Sequence, residues 1–156
     1  GASNVYRIDP ADGSITLVAS DRVKPNGLAF SADESVLYVS DTGASHVPGL
    51  PPTITAYPVN ADGRSLGEGR VSVTCEAGMF DGFRIDLHGN IFASSADSVR
   101  VYAPDGKLIG RIIVPEVISN LCFGGPKRNR LYITATTSLY AIYVNSGPAE
   151  ASNRLR

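Results

Sequence analysis

The chain has 156 residues, 43% of them apolar, and no Trp. That content suits a globular unit with a packed core. A net charge of -1 gives no electrostatic ground for a nucleic-acid or anionic-membrane partner, and no apolar run nears the roughly 20 residues that span a bilayer. Helical periodicity is nearly absent. Short runs rich in Val, Ile, Tyr, Phe and Leu alternate with Gly, Pro, Asn and Asp clusters, which predicts an all-β chain.

In chain order, a first strand pair covers Asn4–Asp9 and Ser14–Val18, joined through Asp12-Gly13. Pro25-Asn26-Gly27 then opens Leu28–Ser31, Leu37–Ser40 and Ile54–Val59, with a fourth strand at Gly69–Thr74. Phe80-Asp81-Gly82 opens a near-copy: Phe83–Asp86, the His88-Gly89-Asn90 turn, Ile91–Ser94, Val99–Ala103 and Lys107–Val114. A third copy holds Asn120–Gly124, Leu131–Thr134 and Leu139–Val144, followed by a polar tail over 146–156. Four antiparallel strands per repeat of roughly 40–50 residues read as β-propeller blades. Residues 1–145 thus make about three and a half blades, and thirteen strands fit the C-terminal half of a six-bladed ring. Open sheet edges invite pairing, so the expected partner is the missing N-terminal half or a second copy of this chain. Gly1-Ala2-Ser3 lacks the basic start and apolar stretch of a signal peptide, and the compartment stays open. Cys75 and Cys122, each in or beside a strand, are predicted to be buried free thiols.

Position in the repeat sorts the glycine turns. Asp12-Gly13, Asp62-Gly63 and Asp105-Gly106 lie between third and fourth strands, where a hairpin needs such a dipeptide. Asn26-Gly27 and Asp81-Gly82 instead precede the innermost strand of a blade, so their side chains are expected to converge on the axis. Asn120 occupies the same slot of the third copy, either facing the channel or bonding its own turn backbone. The long connection from Thr42 to Thr53, with three prolines and His46, is a candidate rim over a substrate, and its length points to function. Ser95 and Asp97, with Ser94, line the shorter equivalent connection as a candidate polar wall for a sugar-like molecule.

Pro-Asn-Gly-Leu-Ala-Phe-Ser-Ala-Asp-Glu followed by Leu-Tyr-Val-Ser-Asp-Thr resembles the gluconolactonase family, which includes regucalcin (senescence marker protein). Asp-Gly-Phe-Arg-Ile-Asp-Leu-His-Gly-Asn-Ile-Phe-Ala-Ser-Ser, Val-Tyr-Ala-Pro-Asp-Gly-Lys and Asn-Leu-Cys-Phe-Gly-Gly-Pro extend the resemblance over residues 4 to 145. It implies a six-bladed propeller that hydrolyses lactones with one divalent metal at the axis. The family's Asn and Asp ligands carry over to Asn26 and Asp81, while its Glu ligand has no counterpart here. Phe80 stands where a Pro is more usual before Asp-Gly. The implied chemistry is ester hydrolysis, with Asp81 both ligand and base for the attacking water and Asn26 a neutral ligand. Hard oxygen donors favour Ca²⁺, with Mg²⁺, Mn²⁺ or Zn²⁺ as alternatives. The expected substrate is a small-molecule lactone. The competing expectations are a non-catalytic propeller fragment serving binding or assembly, and a strictosidine-synthase-like propeller without metal catalysis.

Overall fold

The computed structural model describes residues 3–149 as thirteen strands in four antiparallel sheets, plus one short 3-10 turn at Gly43–Ser45. A two-stranded sheet pairs β1 (Val5–Ile8) with β2 (Ile15–Ala19). The next runs β3 (Pro25–Phe30), β4 (Val36–Asp41), β5 (Thr53–Pro58), β6 (Arg70–Thr74) in spatial order. The third runs β7 (Phe83–Ile85), β8 (Ile91–Ser94), β9 (Ser98–Tyr102), β10 (Leu108–Ile113). The last holds β11 (Ile118–Gly124), β12 (Arg130–Ala135) and β13 (Leu139–Tyr143). Every strand expected from the sequence is present, with ends moved by a few residues.

The turn chemistry explains the meanders. Gly13, Gly63 and Gly106 take positive φ of 73°, 64° and 85°. The preceding aspartates close these turns: Asp12 Oδ1 accepts the Ser14 N–H at 2.9 Å, Asp62 Oδ1 the Arg64 N–H at 2.8 Å, and Asp105 Oδ1 the Lys107 N–H at 3.0 Å. The first strands of successive sheets are neighbours, β3 against β7 and β7 against β11, so the sheets radiate from a common inner edge as propeller blades do.

Apolar residues fill the wedges between blades. Val5, Ala19, Leu37, Val39 and Tyr57 pack the first wedge; Ile54, Val73, Phe80, Phe83, Ile85 and Ile91 the second; Phe92, Val99, Ile118, Leu121, Leu131 and Ile133 the third. Phe80 and Phe83 are fully buried, each worth about 1.5–3 kcal/mol of transfer free energy. Phe80 also meets Tyr102 edge-on, with centroids 5.8 Å apart. At one end the apolar face is uncovered: Tyr6, Ile8, Ile15 and Leu17 are exposed and share one face, because Tyr6 pairs Leu17 and Ile8 pairs Ile15.

One expectation changes. Cys75 is a buried free thiol, but Cys122 is exposed, since no further sheet of the described residues covers its face of β11. Residues 146–149, the start of the expected tail, pack on the blade of β7–β10. Ser146 Oγ donates to Asp86 Oδ2 at 2.8 Å, Leu87 N–H donates to Gly147 C=O and Ala149 N–H to Ile85 C=O, both at 2.9 Å. Pro148 bridges Asp86, and Ala149 joins the second wedge. The buried Asp86 carboxylate needs donors, and Ser146 supplies one. Residues 150–156 of that tail lie outside the described residues.

One acidic side chain ties the last blade together. Glu116, between β10 and β11, accepts hydrogen bonds from Ser138 Oγ, from Tyr140 OH at 2.6 Å and from Thr137 N–H at 2.7 Å. These bonds, Ser138 first, lower its carboxyl from the ordinary 4.5 to about 2. A carboxyl lowered in the folded state contributes stability above its unfolded pKa, and that contribution is lost as pH falls through the folded value. The thermal midpoint of wild type relative to Glu116→Gln is therefore expected to shrink between pH 4.5 and about 2. A difference constant across that window would remove Glu116 from the acid response.

Candidate functional site

Asn26 sits in a β-bulge. Pro25 pairs Asp41 and Leu28 pairs Val39, so Asn26 and Gly27 together oppose the single residue Ser40. A bulge breaks the ladder and re-aims side chains, which is how an inner strand can point an amide toward the axis. The last blade repeats the device: Ile118 pairs Ala135 and Asn120 pairs Thr134, leaving Ser119 extra. Asp81 and Gly82 precede β7 and its first ladder pair at Phe83.

The glycines of these slots differ in kind from the hairpin glycines. Neither Gly27 nor Gly82 has a positive φ. What they supply is close approach between blades. A Cβ on Gly27 would stand 2.5 Å from the Asp81 carbonyl oxygen and 3.1 Å from Gly82 Cα. A Cβ on Gly82 would collide with the Asn120 side chain. The backbone beside Asn26 thus packs on Asp81-Gly82, which packs in turn on Asn120.

Hydroxyls lock this row. Ser40, fully buried, accepts the Gly27 N–H on Oγ at 2.8 Å and donates to the Asp81 C=O at 2.9 Å. Ser94, also fully buried, accepts the Asp81 N–H on Oγ at 3.0 Å. Gly82 N–H reaches Ser119 C=O at 2.8 Å. Asp41 holds the segment entering the bulge, its buried carboxylate accepting Val23 N–H at 2.9 Å and Lys24 and Gly43 N–H at 2.8 Å. Sequence reasoning missed Ser40 and Asp41. The available signal was that the second strand of each copy ends on a hydroxyl: Ser40, Ser94, Thr134.

The structure sets Asn26 and Asp81 in corresponding slots of neighbouring blades, but Asn120 falls one place on. It opposes Thr134 as Gly27 opposes Ser40, and Ser119 takes the slot expected for it because the bulge shifts the register. Asn26 is exposed and Asp81 half-buried, and the Asp81 contacts above use its backbone. Asn120 Oδ1 accepts its neighbour Leu121 N–H at 2.8 Å while its side chain covers Gly82. The other candidates belong elsewhere. His46 is exposed just after the 3-10 turn, with Nδ1 2.7 Å from Ser45 Oγ. Its loop does lie beside the Asn26 entry, since Thr42 N–H donates to Lys24 C=O at 3.0 Å. Ser95 is buried, its hydroxyl within reach of Ser98 C=O at 2.8 Å and Asp97 Oδ1 at 3.1 Å. Asp97, lowered in pKa chiefly by the Ser98 hydrogen bond, lies 3.6 Å from Arg100 and Arg111 on the outer strands.

As a donor set, Asn26 and Asp81 offer one neutral and one anionic oxygen ligand on abutting loops, which fits part of the shell of a hard divalent cation. Among the described residues no group of three or more His, Cys, Asp or Glu converges. A complete shell needs further oxygen donors beyond these two.

The family described as SMP-30/Gluconolactonase/LRE-like region matches residues 1–137. The chain belongs to this family. Among SMP-30/gluconolactonase relatives, the gluconolactonase of Zymomonas mobilis is 34% identical over 149 residues, covering 90% of this chain and 40% of its own length. The pentonolactonase of Haloferax volcanii is 32% identical over 133 residues, covering 83% and 44%. A solved gluconolactonase from Xanthomonas campestris superposes with a TM-score of 0.79 at 35% identity, over 90% of this chain and 44% of its own. A calcium-binding regucalcin from Agrobacterium tumefaciens gives a TM-score of 0.74 at 28% identity, over 88% and 46%. The chain therefore spans less than half the length of each of these SMP-30/gluconolactonase relatives.

Proposed function

We propose that this chain forms part of a closed six-bladed ring that hydrolyses a sugar-type lactone at its axis, with a divalent cation held by Asn26 and Asp81. The observation that carries this reading is the abutment of the two loops through Gly27, whose N–H reaches the Asp81 carbonyl at 3.2 Å, so that the residues bearing the amide and the carboxylate stand on touching backbones. The relatives named as gluconolactonase and pentonolactonase support the substrate class, and the calcium-binding relative supports the cation. The free edges of β1 and β13 are where remaining strands of the ring would pair, and the uncovered face of β1–β2 is where a further blade would pack. A carboxylate from those strands would complete the shell.

A bound divalent cation polarises a carbonyl and acidifies water. Within that setting Asp81 accepts the proton of the attacking water as its oxygen bonds to the lactone carbonyl carbon. The ring C–O bond then breaks, and the proton returns from Asp81 to the departing ring oxygen, leaving a hydroxy acid. Asn26, being neutral, keeps the positive charge of the site undiminished. The loop from Thr42 to Pro52 borders the entry.

The test is acid release from a sugar lactone by the complete protein, before and after chelation. The expected result is turnover lost on chelation and regained when Ca²⁺ or another divalent ion is returned. Hydrolysis unaffected by thorough chelation would overturn the metal role, and no hydrolysis of any sugar lactone would overturn the substrate class.

A further inference from the structure

From this geometry we infer that Ser40 is a positioning residue, whose single hydroxyl sets the separation of Asn26 and Asp81. The inference rests on the proposed reading of those two residues as cation ligands. Ser40 lies opposite the bulge, where the ladder leaves the Gly27 N–H without its regular strand partner. Its Oγ accepts that N–H at 2.8 Å and donates at 2.9 Å to the carbonyl of Asp81, 41 residues distant in sequence. One oxygen atom is therefore bonded to the residue after Asn26 and to Asp81 itself.

The side chain is fully buried, so water does not compete for either bond. Gly27 N–H also reaches the Asp81 carbonyl at 3.2 Å, closing a three-atom cluster between the two blades. Ser94 holds the other peptide group of Asp81 through its N–H at 3.0 Å. Asp81 is thus gripped at N–H by its own blade and at C=O by the neighbouring blade, while its carboxylate is left for a ligand. A plain structural role would be to satisfy a bulge N–H. That role does not require the second bond across to Asp81, which is the one that couples the two ligand-bearing loops.

Removing partners that orient metal ligands typically costs about 10–100-fold in affinity. The test compares Ser40→Ala and Ser40→Thr in the complete protein, with Asn26→Ala and Asp81→Ala alongside. Thr keeps the hydroxyl, and Thr134 fills the corresponding slot of the last blade, where its Oγ1 donates to Asn120 C=O at 3.1 Å. Two readouts are taken: Ca²⁺ affinity by calorimetry, and hydrogen exchange of the Gly27 amide in the metal-free protein. Thermal midpoints check that each variant folds.

Expected is about a 10–100-fold weaker Ca²⁺ affinity in Ser40→Ala. Faster exchange at Gly27 should accompany it, with both effects reversed in Ser40→Thr. Unchanged affinity in Ser40→Ala, while Asp81→Ala abolishes binding, overturns the positioning role and leaves the ligand reading standing. Equal loss in Ser40→Ala and Ser40→Thr also overturns it, because the hydroxyl is then not the cause. Full Ca²⁺ binding in Asn26→Ala and Asp81→Ala sinks the ligand reading and this inference together.

Discussion

Asp81→Ala in the complete protein is expected to lower lactone turnover by about 10³-fold or more while leaving the fold in place. The carboxylate is both ligand and proton acceptor, so its removal takes away two contributions at once. The fold survives because Asp81 is held through its backbone. Its N–H bonds Ser94 Oγ and its C=O accepts from Ser40 Oγ and Gly27 N–H, all groups that alanine retains. Asp81→Asn separates the two roles. It keeps an oxygen ligand but cannot carry the proton, so cation binding should weaken only in part while kcat falls as far as in the alanine variant. The measurements are calorimetric Ca²⁺ titration, steady-state acid release and a thermal midpoint for each variant. Turnover preserved in Asp81→Ala with cation still bound would remove Asp81 from the mechanism.

Gly27→Ala is the second large effect, and a glycine-for-glycine comparison makes it specific. At Gly27 the added Cβ meets the Asp81 carbonyl oxygen at 2.5 Å, a backbone atom that no side-chain rotation can move away. Overpacking of this kind costs about 1–3 kcal/mol, and relief requires the two blades to part. Parting them displaces the Asp81 loop relative to Asn26, and a misplacement of about 1 Å can cost about 10²-fold in rate. Gly13→Ala is the control. Gly13 has a φ of 73° and nothing within 4 Å of the added carbon, so its penalty is left-handed backbone strain of about 1–2 kcal/mol. Both variants should lose similar stability in urea unfolding, but only Gly27→Ala should lose cation affinity and turnover. Normal affinity in Gly27→Ala would mean that this inter-blade contact does not position the site.

Ser40 and Gly27 show where sequence reading stopped. An Asn-Gly pair in front of a strand is legible, and so is its recurrence as Asp81-Gly82, but in the last blade the ladder puts Ser119, not Asn120, in the corresponding slot. That Gly27 is there for a carbonyl of the next blade, and not for a left-handed turn, is invisible until the blades are placed side by side. The same holds for Ser95. A serine in a connecting segment reads as available, yet its hydroxyl is taken up by Ser98 and Asp97 in a turn that closes on itself. Cys122 reads as a strand cysteine among apolar neighbours, and only the absence of a covering sheet among the described residues exposes it.

By itself the sequence determined the strands, their grouping into repeats and the hairpin turns, because alternation and Asp-Gly chemistry act over a few residues. It also carried the family resemblance and the two candidate ligands. Tertiary structure alone decided which glycines serve turns and which serve contacts between blades, that one buried hydroxyl joins Gly27 to Asp81, and that Ser146–Ala149 pack onto β7 and the turn after it. Those contacts join residues dozens of positions apart. No local rule reaches across that distance, and only the packing of one blade against the next brings the groups within bonding range.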